Sequence, residues 1–169
     1  MLFNVGDFIV HPTYGVGHLV KIEERQFAEE AACLYYQISL PKRQVWIPVA
    51  AQETSGLRLA ASREELDRYR LVLKSRPTLL SKHYSQRRQE LLERLDQGSF
   101  QGMCEVVRDL TARNWDQPLS RTDEDTLRQT RKTLYCEWAT AAGVSTIEAI
   151  HEINALLLIS KSDSHAVVE

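Results

Sequence analysis

The sequence predicts an α+β fold: a small SH3- or Tudor-like β-barrel over residues 1–60, then an all-helical bundle of about five helices over 61–160. Three observations carry this expectation. Apolar side chains recur at every second position as far as residue 60, and at helical spacing beyond it. Gly and Pro punctuate the first part at short intervals, as tight turns between short strands require. The length, 169 residues, suits one domain or two small ones.

The elements follow in order. Residues 7–11, 17–24, 32–40 and 44–49 are rich in Val, Ile, Tyr, Phe and Trp and read as strands, with a short fifth at 56–59. Pro12 stops the first strand, and Gly15 and Gly17 are expected to supply backbone angles that other residues adopt reluctantly. Residues 26–30 read as a hairpin tip, and Pro41, Lys42 and Arg43 as the next turn. Five short strands cannot bury both faces of a flat sheet, so they are expected to close into a barrel.

Beyond Ala60, Ser62 and Glu65 fit a capping box, followed by Leu66, Tyr69 and Leu73 on one helical face. Arg76 and Pro77 end that helix. A second helix is expected over 81–95, closed by Gly98, and a third over 99–114 with Phe100, Met103, Val107 and Leu110 inside. Ser120 or Thr122 opens a fourth, its first turn carrying Asp123, Glu124 and Asp125; Leu127, Leu134 and Trp138 face the core, and Gly143 ends it. Ser145 and Glu148 open a fifth with Ile147, Ile150, Leu157 and Leu158 as its apolar residues. Residues 161–169 read as a disordered tail.

Composition narrows the function. Apolar content of 43% and charged content of 26% are those of a soluble globular protein. No secretory signal pattern is visible, and the longest apolar run, 155–159, is too short for a bilayer, so a cytoplasmic protein with no membrane partner is expected. Three widely spaced cysteines suggest reduced thiols, with Cys33 and Cys136 read as packing residues. No Cys or His pair has zinc-ligand spacing, so no metal and no cofactor are expected. The pair Gly15 and Gly17 lacks the third glycine of a dinucleotide fingerprint, and neither a phosphate-binding loop nor a nucleophile elbow is present. An enzyme is not expected; a well-formed polar pocket would revive one.

The net charge, −2, gives no global attraction to nucleic acid. Residues 68–89, however, hold seven cations (Arg68, Arg70, Lys74, Arg76, Lys82, Arg87 and Arg88) and no carboxylate. Such a run is commonly a solvated face. Here it surrounds His83 and Tyr84, a combination that also suits a phosphate-facing surface.

Gly6, Asp7, Ile9, Val10, Pro12, Gly15 and Gly17 together resemble the opening motif of the RNA-polymerase-interacting domain of the CarD/CdnL family of bacterial transcription regulators, a module shared with transcription-repair coupling factors. Further likeness lies in Ile47, Pro48 and Val49, in Gly56, Leu57 and Arg58, in the stretch from Tyr84 through Arg88, and in Glu105, Val106, Val107, Arg108, Asp109 and Leu110. The resemblance covers residues 2–142 and implies a polymerase-binding barrel followed by a helical DNA-contacting domain, in a monomer. It implies docking on the β-subunit lobe of RNA polymerase, promoter contact at the upstream edge of the melted bubble with little sequence dependence, and longer-lived open complexes through an aromatic wedge in the minor groove. It also implies a cytoplasmic protein associated with the nucleoid through polymerase.

By that resemblance Tyr84 is the wedge, with Lys82, Arg87 and Arg88 holding phosphates beside it. Leu80, Tyr84, Leu91 and Leu95 also share a helical face, so a core place for Tyr84 stays open. Arg87 lies on that face too, and a buried Arg without a partner is costly, so the first turn is expected to face solvent or DNA. Arg25, Phe27 and Trp46 match the family's polymerase contacts, although Phe27 and Trp46 could equally complete the barrel core. Tyr84 stands in place of the usual Trp, Gln86 and Gln89 in place of cations, and Trp46 in place of an Arg. The alternative function is an adaptor that docks on polymerase and recruits another protein without touching DNA.

Overall fold

In the computed structural model, residues 3–27 and 31–165 are described, with side chains as far as Lys161. The chain divides into two compact units, Met1–Ala60 and Ala61–Glu169.

The first unit is an antiparallel sheet of β1 (Phe8–His11), β2 (Gly15–Arg25), β3 (Cys33–Leu40), β4 (Arg43–Pro48) and β5 (Arg58–Leu59), in the order β4-β3-β2-β1-β5. Strand alternation sends Ile9, Leu19, Tyr36 and Ile38 to one face, where they form a core with Phe3, Leu40 and Leu57. Val45 and Ile47 of β4, at one end of the ladder, pack on the same cluster as Leu57, which precedes β5 at the other. The sheet therefore curls around its core, helped by a bulge between Leu19 and Lys21. The Tyr36 hydroxyl, fully buried, donates to Gln52 Oε1 at 2.6 Å from the 3-10 turn after β4.

The two glycines of the β1–β2 turn differ in role. Gly15 has φ +79°, the left-handed angle expected. Gly17 does not; it faces Ile38, Leu40 and the Ser39 carbonyl so closely that a Cβ would lie 2.6 Å from Ile38 Cγ2. Gly17 is needed for space rather than for angle. His11 closes the turn, its Nδ1 accepting from the amides of Thr13 (3.0 Å) and Tyr14 (3.3 Å). The hairpin tip expected at 26–30 falls largely on residues 28–30, outside the described residues. Cys33, expected to pack, is exposed at the start of β3.

The second unit contains α1 (Leu66–Lys74), α2 (Tyr84–Asp96), α3 (Phe100–Asp116), α4 (Arg121–Ala142) and α5 (Thr146–His165). The Ser62/Glu65 capping box forms reciprocally, one turn ahead of α1. Ser99 and Ser120 cap α3 and α4 through their hydroxyls. Gly143, at φ +68°, ends α4, with the Val144 amide bonded back to the Ala139 carbonyl in a Schellman arrangement. Phe100 sits edge-on to Tyr69 (4.7 Å between ring centroids) and 6.1 Å from Trp138, at the centre of a core to which all five helices contribute.

Three expectations fail here. The buried face of α5 is Ala149, Ile153, Leu157 and Ser160, whereas Ile147 and Leu158 are exposed. The helix also runs on to His165, into the segment expected as a tail. Cys136 is exposed, and only Cys104 is a buried packing residue. No single helix among the described residues is long and apolar enough to cross a membrane.

Candidate polymerase and nucleic-acid interfaces

The segment between α1 and α2 has no regular structure, so side chains must hold it. Arg108 of α3 donates to the Val72 carbonyl (3.2 Å), Ser75 Oγ (2.7 Å) and Thr78 Oγ1 (3.3 Å). Asp109 accepts from Arg108 Nε (2.7 Å), Arg94 Nη1 (2.7 Å) and the Thr78 amide (3.0 Å). The neighbouring pair Arg108 and Asp109, both buried, thus fastens the end of α1, the following loop and α2 onto α3. A buried charge pair with its remaining hydrogen-bonding capacity filled is costly to break and fixes geometry well.

Nearer α2, Ser81 organises the last turn of the loop. Its hydroxyl accepts from the His83 amide (3.2 Å) and donates to Gln86 Oε1 (3.1 Å), and its own amide donates to Glu90 Oε2 (3.3 Å). Arg87 completes the clamp. It is buried, with Nε on Asp123 Oδ2 at 3.0 Å and Nη1 on the carbonyls of Ser81 (2.9 Å) and Lys82 (3.2 Å). This corrects the expectation that Arg87 contacts phosphate: the guanidinium faces inward and has found its partner in the first turn of α4. Asp123 had read only as a helix-dipole acid, and pairing across 36 residues leaves no local signal in the sequence.

Tyr84 is nevertheless outside the core. It opens α2 with 45% of its surface exposed, while Arg87 and Leu91 of that helix, and Leu80 in the loop before it, are buried. Its hydroxyl donates to Thr122 Oγ1 (3.1 Å) and accepts from Arg88 Nη1 (3.3 Å). Those two hydrogen bonds hold the phenol below its ordinary pKa. Lys82 and Arg88 are exposed beside it, and Lys82 has no carboxylate within ion-pair distance among the described residues. Arg88 thus stands beside the Tyr84 ring, Lys82 is exposed two residues before it, and Arg87 is withdrawn into the core.

On the sheet, Trp46 lies between the inward-facing Val45 and Ile47 and so points to the other face. The Arg25 guanidinium stacks over its ring, 3.6 Å from the centroid, and donates from Nε to Glu23 Oε1 at 2.6 Å. Glu23 also pairs with Lys21, and the two cations hold its carboxyl below the usual range. Phe27 is 39% exposed and meets Tyr35 edge-on at 4.9 Å. Neither Phe27 nor Trp46 belongs to the core cluster, so Arg25, Phe27 and Trp46 lie on the outer face, next to the terminal strand β4. Among the described residues no group of three His, Cys, Asp or Glu is placed to hold a metal ion.

Comparison with known proteins matches both units. The CarD-like/TRCF RID domain matches residues 3–59 and the CarD C-terminal domain matches residues 70–154. The "Putative transcription factor YdeB" of Bacillus subtilis (strain 168) is 26% identical over 145 residues, which span 85% of this chain and 95% of that protein. With two family domains matched in the same order as the two structural units, and the second alone spanning half its length, the chain belongs to the CarD family.

Proposed function

We propose that this chain is a bacterial transcription regulator that docks on the β-subunit lobe of RNA polymerase and places Tyr84 against promoter DNA at the upstream edge of the bubble. The observation that carries this reading is the exposed Tyr84 ring at the start of α2, bonded to the exposed Arg88 and two residues after the exposed Lys82, where the preceding loop is clamped by Arg87–Asp123 and Arg108–Asp109. An aromatic wedge unstacks a base step at a cost of a few kcal/mol, offset by contacts that the distorted duplex allows. Lys82 and Arg88 would supply phosphate contacts that position without specifying sequence. The reaction needs no covalent step: the protein acts by binding the melted state better than the closed one.

Polymerase docking rests on the outer sheet face. Trp46 with Arg25 across its ring, and Phe27 beside Tyr35, are rigid aromatic anchors of the type that dominates interface energetics. β4 ends the sheet, so its outer edge is available for strand addition by the partner. Weak contacts on each side reinforce one another, because docking raises the local concentration of the DNA-contacting unit. The protein would work as a monomer in the cytoplasm, held near the nucleoid by polymerase.

Open-complex lifetime, followed by promoter footprinting or fluorescence, tests the DNA half; Tyr84→Ala should shorten it toward the value without the protein. Equal lifetimes with wild type, with the variant and with no protein would remove the wedge. The docking half is tested by capture of purified polymerase, which Arg25→Glu should weaken. An adaptor that recruits another protein would instead show no salt-dependent binding to fork-junction DNA.

A further inference from the structure

A cavity of about 490 Å³ opens on the helical unit where α3, α4 and α5 meet, away from the α2 surface just described. Leu119, Leu127, Tyr135 and Ile150 give it an apolar floor. Arg131 and Lys132 stand on it, the exposed thiol of Cys136 lines one side, and Arg128 is at the rim, tied to Asp125. The volume falls in the range of small-molecule sites, which combine an apolar body with a few convergent polar groups.

Arg131 is the informative residue. One N–H of its guanidinium donates to Thr111 Oγ1 at 2.8 Å, but Nε is buried and has no hydrogen-bond partner, the one such side-chain atom among the described residues. No carboxylate pairs with Arg131 or Lys132 among the described residues. A buried donor left unpaired is rare in native proteins, but Nε has no surface open to the cavity, so an anion there would meet the outer N–H groups of the guanidinium. Burial pushes the Tyr135 phenol up, while the neighbouring Arg131 charge opposes it; Glu124 is the one carboxylate in the lining, against the cations Arg128, Arg131 and Lys132. A polymer phosphate backbone would use exposed cations such as Arg128 and would gain nothing from the recessed Leu127 and Ile150. A smaller cavity of about 310 Å³ beside Arg68 and Arg94 lacks this character, since Asp109 already occupies Arg94.

We propose that the cleft between α3, α4 and α5 binds a small amphipathic anion: a carboxylate, sulfonate or phosphate seated on Arg131 and Lys132, joined to an apolar body on Leu127, Tyr135 and Ile150. This site is separate from the wedge and polymerase surfaces and does not rest on them. The full-length protein carrying Cys33→Ser leaves Cys136 as the exposed thiol, Cys104 being buried. The probe is 8-anilinonaphthalene-1-sulfonate, an anion with an apolar body.

Its fluorescence should titrate to one site, and saturation should slow alkylation of Cys136 by neutral iodoacetamide, read by intact mass, about tenfold. Arg131→Gln should weaken the probe about tenfold, as expected for loss of one charge-assisted hydrogen bond. Ile150→Trp, which fills the cavity without touching the cations, should abolish binding while the folded protein keeps its helical circular dichroism. Decanoate should displace the probe, and decanol at the same concentration should not. Unchanged probe affinity in both variants, an alkylation rate indifferent to the probe, or equal displacement by decanol and decanoate would each overturn the site.

Discussion

The β unit and the helical unit treat charge in opposite ways. Every buried charged side chain among the described residues, namely Arg87, Arg108, Asp109, Asp123 and Glu137, lies in the helical unit. The β unit keeps its charges on the surface, where Lys21, Glu23 and Arg25 pair along a single strand beside Trp46. The difference follows from what each must fix. A sheet positions its residues through a continuous backbone ladder, so its side chains are free to face a partner. The loop between α1 and α2 has no ladder, and its shape is set instead by guanidinium and carboxylate groups taken out of water. A buried arginine of the helical unit, Arg87 or Arg108, is therefore a framework member, whereas the exposed Arg25 and Arg88 remain contact candidates.

This contrast can be broken or sharpened by experiment, in order of expected effect. Asp123→Ala strands the buried Arg87 and should destabilise the protein by about 3–5 kcal/mol in denaturant unfolding. The double variant Arg87→Met with Asp123→Leu removes both charges and should recover most of that loss. If the single variant costs nothing, the pair is not the clamp described. Next, Gly17→Ala drives a methyl into Ile38 and should cost about 1–3 kcal/mol, an overpacking effect confined to the sheet.

A smaller effect concerns His11, whose burial lowers its pKa below 6.5. A depressed folded-state value means the stability it contributes is present above 6.5 and is lost as pH falls through the lower folded value. Protonation would also remove the acceptor used by Thr13 and Tyr14. Thermal melts between pH 7.5 and 5 should show this decline, and His11→Asn should flatten it. Smallest is Glu23→Gln: the group is solvated, so the melting midpoint should not move, yet polymerase capture should change if Arg25 needs Glu23 to stay over Trp46. A large shift in the midpoint would place Glu23 with the buried pairs instead.

How much of this was legible in the sequence depends on how local the cause is. Strand alternation located the sheet, Gly143 located the end of α4, and Ser120 was one of two candidates for its start, because each signal spans only a few residues. The outward face of Trp46 follows from its place between Val45 and Ile47, yet a core role stayed open because small barrels also need aromatics inside. α5 misled because it is apolar nearly all round from Ala155 to Ile159, so periodicity alone does not fix which side is buried. Arg87 misled for another reason. Cost arguments about buried charge need the partner, and Asp123 lies on a different helix.

The clamp beneath Tyr84 has a bearing on affinity. A side chain on a mobile loop gives up conformational freedom when it binds, on the order of 1 kcal/mol for a rotamer-rich group and more for backbone. Here the backbone around Lys82 is already immobilised by Arg87, and the tyrosine rotamer is already selected by Thr122 and Arg88. Most of that entropic loss has been incurred on folding. If Tyr84 is the wedge proposed above, its smaller stacking surface than that of tryptophan is offset in part by this preorganisation.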